Sequence, residues 1–323
     1  MKHNRREAKE YARKLDHGLW GAMTTPFLPD GSLDEEGLRQ LVRYCADGLH
    51  LPGVTFVGVM GEFWAYTKEE RKRACEVVVE AAGDSCSTIV VTSHHSAEET
   101  IELTRHAQEV GTDGAALLPP YHPAGIDETG VYRYFKQISD ATSIGLWLVD
   151  TGNGGAPLSV ELTAELAKLP NIVGLKLVRG DEHYDSLVQR GVRDEIVLTD
   201  PVEDRWISLI KRGQRSSIAS CFPIAYQTPN SLLMNEYTEL AMRGDYEAAE
   251  AASARLQPIR DTFARIGAAN PGPTAPWLKV WQEYIGVPGG GGGVRAPFGN
   301  LPEDKVAQVH AEIDAIKPLL GLA

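Results

Sequence analysis

The chain has 323 residues, 43% of them hydrophobic and 24% charged, the balance of a globular protein with a sizeable core. Acidic residues outnumber basic ones by 44 to 32, for a net charge of -12, and with no basic tract and no aromatics set among cations, a nucleic-acid partner is not expected. The amino-terminal segment is charged and lacks an apolar run, and no stretch is long and apolar enough to span a bilayer, so no membrane partner is expected and the cytoplasm is the expected compartment.

Residues 1–17 read as an N-terminal arm. Apolar runs of strand length then fall at Leu19–Thr24, Gly53–Val57, Thr88–Thr92, Gly114–Leu118, Ile144–Val149, Ile172–Lys176, Glu195–Leu198 and Ser216–Ser220. Helical patterns separate them, at roughly 34–49, 67–82, 96–110, 127–140, 159–168, 183–190, 203–212 and 226–242. Two of these helices open on a hydroxyl residue ahead of acids, Thr67-Lys-Glu-Glu70 and Ser96-Ala-Glu-Glu99, the pattern that satisfies free backbone N–H groups at a helix start.

Eight short strand–helix alternations predict an α/β chain folded as a (β/α)8 TIM barrel over residues 18–242. An open doubly wound sheet is the alternative, but it usually carries a glycine-rich phosphate loop after the first strand. Here that position reads Thr24-Thr25-Pro26-Phe27. Beyond 243 the strand signal stops. Helical patterns at 245–267, 274–285 and 303–318 predict a C-terminal helical extension over 243–323. It is interrupted by Pro288–Gly293, a glycine run that reads as a surface loop or a flap over the barrel mouth.

In such barrels the reactive groups sit at the C-terminal ends of strands. The sixth run ends Asn171-Ile-Val-Gly-Leu-Lys176, so a lysine finishes an otherwise apolar strand. Held in the barrel mouth, its amine loses solvation, its pKa falls and it becomes a nucleophile; paired with a carboxylate, it is only structural.

This segment, followed by Gly180-Asp181, resembles the Schiff-base lysine motif of the dihydrodipicolinate synthase and N-acetylneuraminate lyase family. Other landmarks fall in the same order. Gly21–Phe27 (GAMTTPF) resembles the family's first-strand motif, Gly58-Val-Met-Gly-Glu62 its GTTGE-type loop, Pro120-Tyr121-His122 its PYY segment, and Arg295-Ala-Pro297 its closing RxP. The resemblance covers about residues 18–310. It implies a catalytic Lys176, a 2-oxo acid substrate, no cofactor, and a homo-oligomer (tetramer or dimer) in which His122 reaches toward a neighbour.

Departures from the family pattern are as informative. Counting back from Lys176 without a gap places Leu148 where the family carries its active-site tyrosine. Val59 and Met60 replace the threonines expected to hold pyruvate's carboxylate, and Asn153 stands for the synthase's arginine. These changes argue against the synthase reaction itself and against sialic acid lyase. A replacement base is sought in Asp150 and His122, with Asp200 and Glu203 on the segment that lines the family's substrate-tail pocket. Each has a structural alternative: Asp150 and Asp200 as caps, His122 in a subunit contact. Glu62 reads as stabilising the first turn of its helix.

The expected activity is a class I retro-aldolase that cleaves a 4-hydroxy-2-oxo acid to pyruvate and an aldehyde. Several acids around one mouth suggest a neutral or cationic tail, such as an amine or guanidino group. A dehydratase or hydratase-aldolase working through the same imine, and a non-catalytic binding paralogue, are the alternatives. No metal site is expected, since His94 and His95, adjacent on a strand, would point to opposite faces, and the four cysteines lack CxxC spacing.

Overall fold

Each of the eight apolar runs forms a parallel strand in the computed structural model, which describes residues 2–121, 125–151, 155–289 and 293–323. The strands are β1 (Gly18–Ala22), β2 (Gly53–Phe56), β3 (Ser87–Val91), β4 (Gly114–Leu117), β5 (Leu146–Asp150), β6 (Ile172–Leu177), β7 (Val197–Thr199) and β8 (Ser216–Ser220). Ladders join neighbours from β1 through β7, and β1 also pairs with β8. The seventh strand starts two residues later than expected because Glu195 closes a short helix, Val192–Glu195.

One seam, between β7 and β8, is closed by a side chain. The Thr199 hydroxyl donates to the Ser216 carbonyl at 2.8 Å and accepts from the Ile218 N–H at 2.9 Å. A threonine here does the work of a missing ladder rung. The result is a TIM barrel.

Because parallel strands are covered on both faces, their side chains divide between two cores. Trp20, Ile89, Val91, Trp147, Val149, Val173 and Ile218 fill the barrel interior. The alternate residues, such as Val54, Phe56, Leu148 and Leu175, pack outward against the helices. The expected N-terminal arm contains a helix, α1 (Ala8–Leu15), whose Ala8, Ala12 and Leu15 join the interior cluster beneath Trp20. It is anchored where β4 begins: Lys2 donates to Asp113 at 3.0 Å, and the Tyr11 hydroxyl donates to the same carboxylate. The barrel is thereby plugged at its N-terminal end and open at the other.

Helices α2 (Glu35–Arg43), α3 (Lys68–Ala82), α4 (Ala97–Val110), α5 (Glu128–Ala141), α6 (Val160–Ala167) and α7 (Asp181–Gln189) surround the strands. Thr67 and Glu70 form a reciprocal capping box on α3, and Ser96 caps α4, as their spacing predicts. The pattern read as one helix over 245–267 is two, Tyr246–Ala254 and Gln257–Ala269, because Pro258 cannot sit inside a continuous helix. The helical extension continues with Ala275–Tyr284, whose Trp281 donates to the Ala225 carbonyl at 2.8 Å, and with Glu303–Asp314. The central part of the glycine run, Gly290 to Gly292, lies outside the described residues.

Candidate active site

The open end of the barrel holds a cavity of about 540 Å³, and among the described residues that line it Lys176 is the only charged one. Lys176 is the fifth residue of β6, with the parity that faces inward, and its strand partner on β5 is Val149. Its amine donates to the Ala219 carbonyl at 3.0 Å. No carboxylate of the described residues lies within salt-bridge distance of it. Burial, opposed only weakly by the Cys221 thiol and Asp200, pushes its pKa down to about 8. A lysine kept in an apolar cavity without a counter-ion is poised to lose its proton and attack a carbonyl.

Two backbone strains mark the rim. Val57, at the end of β2, has φ of 51°, and Ala219, within β8, has φ of 65°. A β-branched residue at positive φ is a genuine outlier, and such outliers persist where surrounding structure holds them. Val57 launches the loop Gly58–Glu62 across the mouth. Ala219 turns its carbonyl toward Lys176.

Val59 and Met60 of this loop line the cavity. Among the described backbone bonds, Gly61 N–H and Phe63 N–H donate to Gly58 and Glu62 N–H to Val59, while the N–H groups of Val59 and Met60 have no backbone acceptor.

The expected acids are elsewhere. Leu148 is fully buried among the outer, helix-facing side chains, so it does not occupy the position facing the lysine; Val149 does. Asp150 shares the parity of Leu148 and turns away from the cavity, where it accepts from Arg179 at 3.2 Å and from the Leu158 N–H at 3.3 Å. These bonds tie the end of β5 to Leu158, ahead of α6, and to Arg179, beyond β6. Asp200, fully buried, accepts from Arg205 and from the Val202 N–H, and burial raises its pKa despite these partners. Glu203 is chelated by Arg260 through two contacts of 2.7 Å and accepts from the Tyr237 hydroxyl at 2.6 Å. It ties the turn after β7 to the helical extension and does not border the cavity. The cationic-tail expectation loses its basis with these three. His122 and Asn153 lie outside the described residues.

Glu62 stands at the N-cap of the turn Phe63–Ala65, but its side chain makes no capping bond there. It has φ of 57° and forms a buried ion pair of 2.6 Å with Lys279. His94 and His95 follow β3 rather than ending it, so strand alternation does not apply; their rings stack at 4.0 Å. Among the described residues no group of three or more His, Cys, Asp or Glu could hold a metal ion.

Sequence reasoning passed over the hydroxyls that do line the cavity, on Thr55, Thr151 and Tyr121, and the inward Trp147. The tryptophan had a detectable signal. Gly114 on β4 and Gly174 on β6 flank it, and a methyl group at either would fall within 3 Å of its ring. Tyr121 stands edge-on to Phe63 at 5.9 Å, and burial raises its pKa against the opposing charge of Arg71. A groove of about 900 Å³ lies outside the barrel, between the start of β1 at Gly18 and the helix Leu233–Met242, and among the described residues no lysine lines it.

The Dihydrodipicolinate synthetase family matches residues 16–316. The 4-hydroxy-tetrahydrodipicolinate synthase of Halorhodospira halophila is 32% identical over 300 residues, covering 91% of this chain and 94% of that protein. That of Methanosarcina mazei is 27% identical over 302 residues, covering 92% and 97%. Among solved structures, YagE of E. coli K12, a prophage protein of the dihydrodipicolinic acid synthase family in complex with pyruvate, superposes with a TM-score of 0.81 at 24% identity, covering 93% of this chain and 98% of that one. Dihydrodipicolinate synthase from Aquifex aeolicus gives a TM-score of 0.81 at 21% identity, covering 94% and 99%.

Proposed function

This chain belongs to the Dihydrodipicolinate synthetase family, and from that membership we propose that it is a carbon–carbon lyase acting through a Schiff base on Lys176. The observation that carries the reading is the Lys176 amine, inside an apolar cavity, bonded to a carbonyl and to no acid among the described residues.

The neutral amine attacks the C2 ketone of a 4-hydroxy-2-oxo acid, and loss of water leaves an iminium ion. The C3–C4 bond then breaks, its electron pair moving into the iminium as an enamine while the C4 hydroxyl gives up its proton and departs as an aldehyde. Protonation of the enamine at C3 and hydrolysis release pyruvate and restore the lysine. The N–H groups of Val59 and Met60, without an acceptor among the described residues, suit the substrate carboxylate, a role that needs backbone and not the threonine side chains. With a valine opposite Lys176, proton transfer falls to water held by the hydroxyls of Thr55, Thr151 and Tyr121, each of which both accepts and donates, or to His122, next in sequence to Tyr121. The homo-oligomer implied by the resemblance is part of this proposal.

Borohydride reduction in the presence of pyruvate tests it. A stable adduct should form on Lys176, identifiable by peptide mass, and Lys176→Met should abolish it. An unmodified Lys176 in the wild-type protein defeats the imine.

A further inference from the structure

The cavity differs from a generic 2-oxo acid site in what surrounds the amine. Its walls are Met60, Ile89, Val91, Leu118, Val149 and Ile218, with three hydroxyls and no arginine, histidine, aspartate or glutamate among the described lining residues. A charged tail entering it would be stripped of water with no charged partner among the described lining residues to compensate, which is strongly unfavourable. At about 540 Å³ the volume is in the range that encloses a molecule much larger than pyruvate.

The rim extends this chemistry outward. Six large hydrophobic side chains are exposed among the described residues, and three of them, Val59, Trp64 and Val178, line this cavity. Exposed apolar groups gathered at one opening mark a binding surface, whereas scattered ones do not. The rings also form a continuous edge-to-face series. Tyr121 meets Phe63 at 5.9 Å, Phe63 meets Trp64 at 5.3 Å, and Trp64 meets Phe298 at 5.2 Å. The series leads from the cavity wall to Trp64, which is 38% exposed at the rim and so accessible to a further ring.

We propose that the site selects a 2-oxo acid whose tail is an uncharged aromatic group, seated against Trp64, Val59 and Val178 while the oxo group meets Lys176. The chemistry rests on the imine reading above; the binding preference does not. A pocket that rejects charge in this way discriminates chiefly against acids and cations, since their polar groups end up buried without partners.

The test offers the full-length protein four 4-hydroxy-2-oxo acids whose C4 substituent is phenyl, methyl, carboxylate or guanidinoalkyl, with pyruvate release scored as kcat/KM. The phenyl compound should exceed the carboxylate and guanidinoalkyl compounds at least tenfold, and Trp64→Ala or Val178→Asp should lower the phenyl-to-methyl ratio, mainly through KM. Equal rates, or preference for either charged tail, overturn the proposal. Binding is measured separately from tryptophan fluorescence with phenylpyruvate and 2-oxoglutarate. At least tenfold tighter binding of the aryl acid supports the selectivity even if borohydride finds no adduct, in which case only the imine fails. An adduct with pyruvate but no aryl preference in either assay leaves the imine and removes this inference.

Discussion

The Lys176 amine on β6 and the Ala219 carbonyl on β8 meet at 3.0 Å across the barrel. A carbonyl can orient an ammonium group but adds no full negative charge to hold its proton, so burial governs the amine. The positive φ of Ala219, 65°, aims that carbonyl, and strain of this kind costs on the order of 1–3 kcal/mol.

The pH dependence follows from the depressed lysine. With its pKa at about 8, the neutral fraction of Lys176 rises tenfold per pH unit below that value and levels off above it. The rate of borohydride-trappable imine formation from pyruvate, measured from pH 6 to 9.5, should bend near 8. A bend near the ordinary lysine value, or none, would show that the amine is solvated.

The same shift makes Lys176 a stability burden. Its folded pKa lies below the unfolded value, so the cost of burying the charge is fully present below about 8 and disappears as pH rises past the ordinary lysine value of 10.5. Lys176→Met should therefore raise unfolding stability at pH 7 by roughly 1–3 kcal/mol and lose that advantage at pH 11. Urea titrations at the two pH values compare them directly.

Glu62 and Lys279 are 0% and 2% exposed, and their ion pair joins the mouth loop to the helical extension. Glu62 also accepts from the Arg295 N–H at 3.1 Å. Removing one partner leaves a buried charge, and Glu62→Leu or Lys279→Met alone should each cost about 3–5 kcal/mol. The double variant should recover much of the loss. Additive losses in the double-mutant cycle would show that the two groups are solvated independently.

At the β7–β8 seam, Thr199→Val keeps the shape and removes the hydroxyl that serves Ser216 and Ile218. One carbonyl and one N–H lose their partner, which should cost about 1–3 kcal/mol per group. Hydrogen exchange at Ile218 should accelerate in this variant and stay slow in Thr199→Ser.

Strand positions were legible because each run is apolar and bounded by glycine or polar residues, and the sixth strand could be identified by the lysine that ends it. Which residues face inward was not legible, for the same reason. Leu146-Trp147-Leu148-Val149 is apolar on both faces, as a parallel strand must be, so hydrophobicity supplies no phase. An ungapped count then chose Leu148 and Asp150, one residue out of phase with Trp147 and Val149. A one-residue slip moves every side chain to the other face. Asp200 and Glu203 were misplaced differently. Their arginine partners are 5 and 57 residues away, and nothing in the local sequence announces the distant one.

The phase of β5 yields the sharpest remaining test. Leu148 packs fully buried between barrel and helices, whereas Val149 borders the cavity opposite Lys176. Leu148→Tyr forces a ring and a hydroxyl into a filled core and should lower stability by about 1–3 kcal/mol or more, with the imine site unaltered in geometry. Val149→Tyr extends into open volume, so its cost should be smaller, and its phenol should reach toward the amine. Pyruvate trapping at Lys176 should then change in rate and pH profile only in Val149→Tyr. If Leu148→Tyr proves the milder change and the one that alters trapping, the inward face of the strand is the other one, and the account of which side chains surround the lysine must be reversed.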